Sequence, residues 1–187
     1  MFYLKHLIAS IEASKYKKIL KNVGTNTFLG KNLKIIGGQY IELQDNVHVG
    51  PNSRLEAWDS YKNKMFTPSI VLEEGVKINS KVHIGAIGKI SIGKGTLLGS
   101  NVFITDHSHG NTTFEEMQIP PYERDLVYKG EVKIGKNCWI CENVIILPNT
   151  TIGDGCVIGA GAVVQGMIPS YSVVVGIKGH VVKTLKK

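Results

Sequence analysis

The chain has 187 residues, a net charge of +7, 21 glycines and few aromatics (7%). One domain is expected at this length, and no stretch approaches the ~20 apolar residues of a membrane span. The charge fits nucleic acid, anionic lipid or an acidic small molecule, but the chain has no Arg-rich run and no aromatic-interleaved basic patch, so a phosphate-bearing small molecule fits at least as well as nucleic acid.

The first segment, residues 1–22, spaces Leu4, Leu7, Ile8 and Ile11, then Ile19 and Leu20, at helical intervals among Lys5, Lys15, Lys17, Lys18 and Lys21. This predicts an amphipathic helical cap on one end of the domain; the alternative is light peripheral attachment to a membrane. Met1–Ser14 lacks a basic start before a long apolar core, so a secretory leader is not expected and a cytoplasmic location is.

From Val23 to Val164 an aliphatic residue recurs every sixth position: Val23/Leu29/Ile35, Leu43/Val49/Leu55, Leu72/Ile78/Ile84, Ile92/Leu98/Ile104, Ile134/Ile140/Ile146 and Ile152/Ile158/Val164. A period of six fits neither a helix nor a lone strand; it is the signature of a β-helix. Three hexads make one triangular coil, and six coils at the ~4.7 Å sheet spacing rise about 28 Å. The residue after the aliphatic is often Gly (Gly50, Gly85, Gly93, Gly99, Gly135, Gly153, Gly159), read as supplying tight corners. The fifth hexad position is small or β-branched (Val76, Val82, Thr96, Val102, Val144, Thr150, Ala162), as a narrow interior requires. The coils are placed at 23–169, with 170–187 as a terminal strand or tail.

The repeat breaks in four places. Residues 41–42 and 90–91 are small adjustments, 61–71 is a modest excursion, and 110–133 is a long insertion. A long aperiodic stretch inside a compact domain is commonly functional. At its root stands Thr105-Asp106-His107-Ser108-His109-Gly110. Imidazole titrates near neutrality and can take a proton from a hydroxyl, and a neighbouring carboxylate can fix its tautomer. From spacing alone, general-base catalysis and solvated loop histidines remain equal readings. His48 and His83 occupy the outward last hexad position, where a subunit contact is an option. No close HxxxH spacing or second acidic cluster suggests a metal. Cys138-Trp139-Ile140-Cys141 is formally CxxC, but Cys138 and Cys156 share the small interior position one coil apart, so both are read as core residues. Trp139 takes an outward position, as a packing contact or as the wall of a substrate tunnel.

These stretches, IGKGTLLGSNVFITDHSHG (92–110) and VKIGKNCWICENVIILPNTTIGDGCVIGAGAVV (132–164), resemble the hexapeptide-repeat acyltransferases, in particular the sugar O-acetyltransferase branch related to maltose, galactoside and capsular-polysaccharide acetyltransferases. The resemblance implies an all-β fold, a left-handed parallel β-helix of about six coils. It also implies acetyl-CoA as acyl donor and a homotrimer with its active site between two subunits. The family's catalytic histidine falls on His107, with His109 as rival and Asp106 beside them. Trp139 lies at the acyl and acceptor region, with Tyr122 and Arg124 of the insertion on the acceptor side. The donor is implied to run along the C-terminal coils at Ala160, Gln165 and Gly166. Where the family carries Thr-Lys-Asp this chain has Gln165-Gly166-Met167, so Lys178, His180 or Lys183 is left to meet the CoA phosphates.

The expected activity is transfer of an acetyl group to a sugar hydroxyl, of a cell-surface polysaccharide or its precursor, with His107 as base. A backbone N–H of a neighbouring coil is expected at the oxyanion. The alternatives are N-acetylation of an amino- or nucleotide-sugar, a γ-type carbonic anhydrase with three histidine ligands between subunits, and a non-catalytic β-helix assembly subunit. Neither a resident metal nor a nucleic-acid partner is expected.

Overall fold

The computed structural model describes residues 16–177 and 179–184. Short parallel strands stack into three faces that wind as a left-handed β-helix. The first face stacks Asn22–Val23, Ile41–Leu43, Ser69–Leu72, Lys89–Ile92, Val132–Ile134 and the end of Ile145–Ile152. The second stacks Phe28–Leu29, His48–Val49, Lys77–Ile78, Leu97–Leu98, Trp139–Ile140 and Val157–Ile158. The third stacks Lys34–Ile36, Arg54–Ala57, His83–Ala86 and Phe103–Thr105, then the start of Ile145–Ile152.

The register is the one the six-residue beat dictates. On the second face Leu29, Val49, Ile78, Leu98, Ile140 and Ile158 are successive partners. On the third, Ile35, Leu55, Ile84, Ile104 and Ile146 are. Ile78, Ile84, Leu98, Ile104 and Ile140 are wholly buried. Each contributes about 1.5–3 kcal/mol of hydrophobic stabilisation. Between them lie the small interior positions, including Val76, Val82, Thr96, Val144 and Ala162, also wholly buried.

Coil stacking runs past residue 169. Ile168 extends the first face beyond Ile152, and Val174 extends the second beyond Ile158. His180–Thr184 then turns back antiparallel on Ser172–Val175, occupying the edge that a further coil would take. At the other end, Tyr16 and Leu20 pack against the core. The expected N-terminal helix falls largely on residues 1–15, outside the described residues.

The glycine reading is corrected in its reason. The left-handed corner lies two residues further on, and there it is mostly asparagine that adopts positive φ: Asn26, Asn32, Asn46, Asn52, Asn101, Asn137, Asn143 and Asn149. Most of the glycines after the aliphatic, Gly50, Gly93, Gly99, Gly135 and Gly153, are needed because coils touch there. A Cβ on Gly50 would come within 2.5 Å of the Asn79 backbone, and one on Gly93 within 2.6 Å of Gly135.

Candidate active site

The third face leads directly into the site. Phe103–Thr105 ends its coil, and the chain passes through Asp106 into His107–His109, which pairs antiparallel with Leu126–Tyr128. The insertion is therefore folded. It holds that hairpin, a helical turn Phe114–Met117 capped by Thr113 Oγ1, and the 3-10 turn Pro121–Glu123.

Asp106 is completely buried. Its carboxylate accepts the backbone N–H of Ile87 at 3.0 Å and of Gly88 at 2.8 Å, from the coil below. It lies 2.8 Å from Nδ1 of His107, whose side chain is 13% exposed. An ionised carboxylate only accepts, so this contact assigns the proton to Nδ1 and leaves Nε2 with a free lone pair. Thr105 Oγ1 lies 3.2 Å from the same Nδ1. His109 is more exposed and packs edge-on against the Tyr61 ring at 5.7 Å. Of the two histidines, His107 is thus the one placed against a buried carboxylate.

A second carboxylate–imidazole pair stands beside the first. Glu56 is 3% exposed and meets Lys34 at 3.0 Å, Arg54 at 2.9 Å and Nε2 of His83 at 3.4 Å. Burial alone would raise the Glu56 pKa, but hydrogen bonds from His83, Lys34 and Arg54 outweigh it and hold the carboxyl at about 2. The hexad position of His83 suits a subunit contact, and its side chain lines the cavity that His107 lines. His48 stacks on Phe28 at 4.4 Å between centroids, and burial, then Lys77, depresses its pKa.

Glu56, His83 and His107 line a cavity of about 460 Å³, with Trp58, Tyr61, Phe103, Tyr122 and Leu126 among its other lining residues, while Asp106 lies buried behind His107. The excursion at 61–71 contributes a small hairpin, Ser60–Tyr61 with Lys64–Met65, that clasps the long insertion. Tyr61 Oη donates to the Tyr122 carbonyl at 3.0 Å, Lys62 Nζ donates to the Glu123 carbonyl, and Lys64 meets Asp125 at 3.0 Å. Two breaks in the repeat, far apart in sequence, thus close over one cavity.

Of the remaining candidates, Tyr122 lines the cavity and Arg124 does not. Arg124 braces the insertion, its Nε donating to the Ile119 carbonyl at 2.8 Å. Trp139 lies on the second face, 53% exposed, in register with Leu97. Ala160 and Gln165 are exposed near the C-terminal end, and a side chain added at Gly166 would meet nothing within 4 Å. Gln165 occupies the hexad position of Thr105 two coils on, roughly 10 Å along the same edge. Lys178 lies outside the described residues, and Lys183 sits in the closing strand opposite Val173.

Cys138 and Cys156 are interior. Their thiols donate to the carbonyls of Gly153 and Pro169, each at 3.1 Å. Burial raises the Cys138 and Cys141 thiols, against a nucleophilic role. Among the described residues no three His, Cys, Asp or Glu side chains group to hold a metal, and no helix is long and apolar enough to cross a membrane.

Sequence reasoning did not place Arg54, Glu56, Trp58 or Tyr61 at the site; it read His83 as an option for a subunit contact and Gly85 as a corner glycine. The register carried a signal for some of them. Glu56, Gly85 and Thr105 each follow the aliphatic marker on the third face, so they must lie side by side.

Residues 131–166 match the family described as bacterial transferase hexapeptide (six repeats). Over 118 residues the chain is 42% identical to WbbJ of Escherichia coli K12, a protein provisionally named as a lipopolysaccharide biosynthesis O-acetyl transferase. That match covers 61% of this chain and 60% of the relative. Among the curated relatives it matches, the chain spans 60% of this one and 49% of an acetyltransferase of Mycobacterium tuberculosis. The crystal structure of a maltose O-acetyltransferase from Clostridium difficile 630 superposes with a TM-score of 0.61 at 28% identity, covering 92% of this chain and 73% of that one. AntD, an N-acyltransferase from Bacillus cereus solved with dTDP-4-amino-4,6-dideoxyglucose and coenzyme A, gives a TM-score of 0.74 at 19% identity, covering 94% and 89%, a likeness of fold.

Proposed function

We propose, from the hexapeptide-repeat match of residues 131–166 and the likeness to sugar O-acetyltransferases, that the chain transfers an acetyl group from acetyl-CoA to a hydroxyl of a sugar, in a cell-surface polysaccharide or its precursor. The observation that carries this reading is the Asp106–His107 pair at a cavity partly walled by aromatic rings. Such a cavity suits a sugar, whose ring offers apolar C–H faces to aromatic side chains and hydroxyls to polar ones.

Asp106 holds His107 in the tautomer with Nε2 unprotonated. His107 takes the proton of the acceptor hydroxyl as the oxygen bonds to the thioester carbonyl carbon. It returns that proton to the departing thiolate when the C–S bond breaks. No group on the protein is acylated, since holding both substrates in line replaces a covalent intermediate. Tyr122, Tyr61 and Trp58 shape the acceptor side. The donor follows the open edge at Gln165 and Gly166, and Lys183 is the basic residue assigned to its phosphates.

We further propose a homotrimer with shared sites. His107 lies where the third face ends, whereas Trp139 stands exposed on the second, in register with the exposed Leu97. A neighbouring copy brings such a tryptophan to a cavity its own chain does not line with it.

The test is acetyl-CoA consumption, read as thiol release, against a panel of polysaccharide and nucleotide-sugar acceptors. His107→Ala lowers turnover by about 10²–10⁴ with acetyl-CoA affinity nearly unchanged. His109→Ala stays within a few-fold of wild type. An inactive His109→Ala beside an active His107→Ala reverses the assignment, and activity in both removes the general-base model.

A further inference from the structure

We propose that Gly85 and His83 form the slot that receives the reacting acceptor group, and that this slot selects a hydroxyl over a protonated amine. The inference rests on the acyl-transfer reading above and deepens it, naming the class of acceptor.

Gly85 follows the aliphatic marker Ile84, as Gly50, Gly93, Gly99, Gly135 and Gly153 follow theirs. At those five a Cβ would press within 2.4–2.6 Å of atoms of the next coil. Gly85 differs. Its φ is not in the left-handed range, and a Cβ there would meet only His107 Cε1 and His83 Nε2, each at 3.5 Å. Neither backbone conformation nor coil packing demands glycine at this position. The missing side chain leaves the cavity wall open between His83 Nε2 and the Cε1 edge of His107.

An acceptor oxygen held in the cavity against this gap lies between the two rings. Glu56, held as a carboxylate by Lys34 and Arg54, stands 3.4 Å from Nε2 of His83, an approach that favours a proton on that nitrogen. His83 therefore presents a donor, shared between Glu56 and the incoming atom. His107 presents a lone pair at Nε2. A hydroxyl satisfies both, accepting from His83 and donating to His107, which points its proton at the base. An ammonium carries no lone pair and would set its N–H groups against the His83 N–H. The slot thereby favours O-acetylation, with His83 touching the acceptor rather than taking its proton.

The experiment uses maltose, methyl β-D-galactopyranoside and D-glucosamine as probe acceptors on the full chain, with thiol release as one readout. The second readout is NMR of the ring Cε1–H signals of His83 and His107 during sugar titration. Gly85→Ala is expected to raise the acceptor KM at least tenfold, with Tm within about 2 °C of wild type and the KM for acetyl-CoA unchanged. His83→Ala is expected to lower kcat/KM for acceptor by about 10–100-fold, and His83→Asn, which keeps a donor, to recover part of it. In the wild type the neutral sugars shift both ring signals, and in Gly85→Ala they shift neither. An unchanged acceptor KM in Gly85→Ala overturns the slot while acetyl transfer stands, as does N-acetylation of glucosamine as fast as O-acetylation of the sugars. Sugars that shift both rings without thiol release from acetyl-CoA overturn acetyl transfer while the slot stands. No shift and no release overturns both.

Discussion

Replacing Asp106 by Asn tests the centre of the proposed mechanism, because it keeps the shape and removes the charge. The carboxylate accepts three N–H donors, from Ile87 at 3.0 Å, Gly88 at 2.8 Å and His107 at 2.8 Å. An amide has a single acceptor oxygen. Turned toward Ile87 and His107, it sets its NH2 against the Gly88 N–H and leaves one buried donor unpaired, at a cost of about 1–3 kcal/mol. Turned the other way, it opposes two donors and drives His107 into the tautomer with Nε2 protonated. The first arrangement costs less. Adding the lost charge assistance of the remaining bonds, unfolding free energy should fall by about 2–4 kcal/mol. Turnover should fall by about 10², and by up to about 10⁴ if the wrong tautomer prevails. Urea denaturation gives the first number and thiol release from acetyl-CoA the second. A variant that loses stability but keeps kcat within threefold of wild type would refute the orienting role, leaving Asp106 a structural acceptor. Unchanged stability would refute the buried three-donor network.

Three further outcomes rest on the same geometry. The folded-state pKa of Glu56 lies at about 2, below its ordinary 4.5, so its contribution is full above pH ~4.5 and is lost as pH falls toward 2. That amounts to at most ~3 kcal/mol; Glu56→Gln should flatten this acid limb in denaturation midpoints between pH 6 and 3, and an unchanged slope would count against the pairing. The double variant Cys138→Ser/Cys141→Ser should keep acetyl transfer with a stability loss of about 1–2 kcal/mol, since a hydroxyl can repeat the bond of Cys138 to the Gly153 carbonyl; bound zinc that disappears together with activity would contradict the core reading. Co-expressing His107→Ala with Trp139→Ala should recover part of the activity that each lacks alone, one site in a mixed trimer combining two intact halves; proven mixed trimers without recovery would place the whole site on one chain.

The hexad beat alone determined the coil, its register and the identity of nearly every core residue. An aliphatic repeated every six positions can be buried only by stacking on its counterpart one coil away, so Leu55, Ile84 and Ile104 had to be neighbours. The same arithmetic placed Cys138 and Cys156 inside and marked the long insertion at 110–133 as the break beside the two histidines. Periodicity says nothing about segments that lack it. Only the tertiary structure showed that the hairpin at Tyr61 and Lys64 grips the insertion at Tyr122 and Asp125 to close one cavity. It also showed what sets His107 apart from its rival His109, because Asp106 can orient His107 only once Ile87 and Gly88 of the preceding coil turn their N–H groups toward its carboxylate. The glycines show the division most plainly. Their positions were legible, but whether each avoids a clash, as Gly50 does, or keeps a space open between two imidazoles, as Gly85 does, depends on what the next coil places opposite.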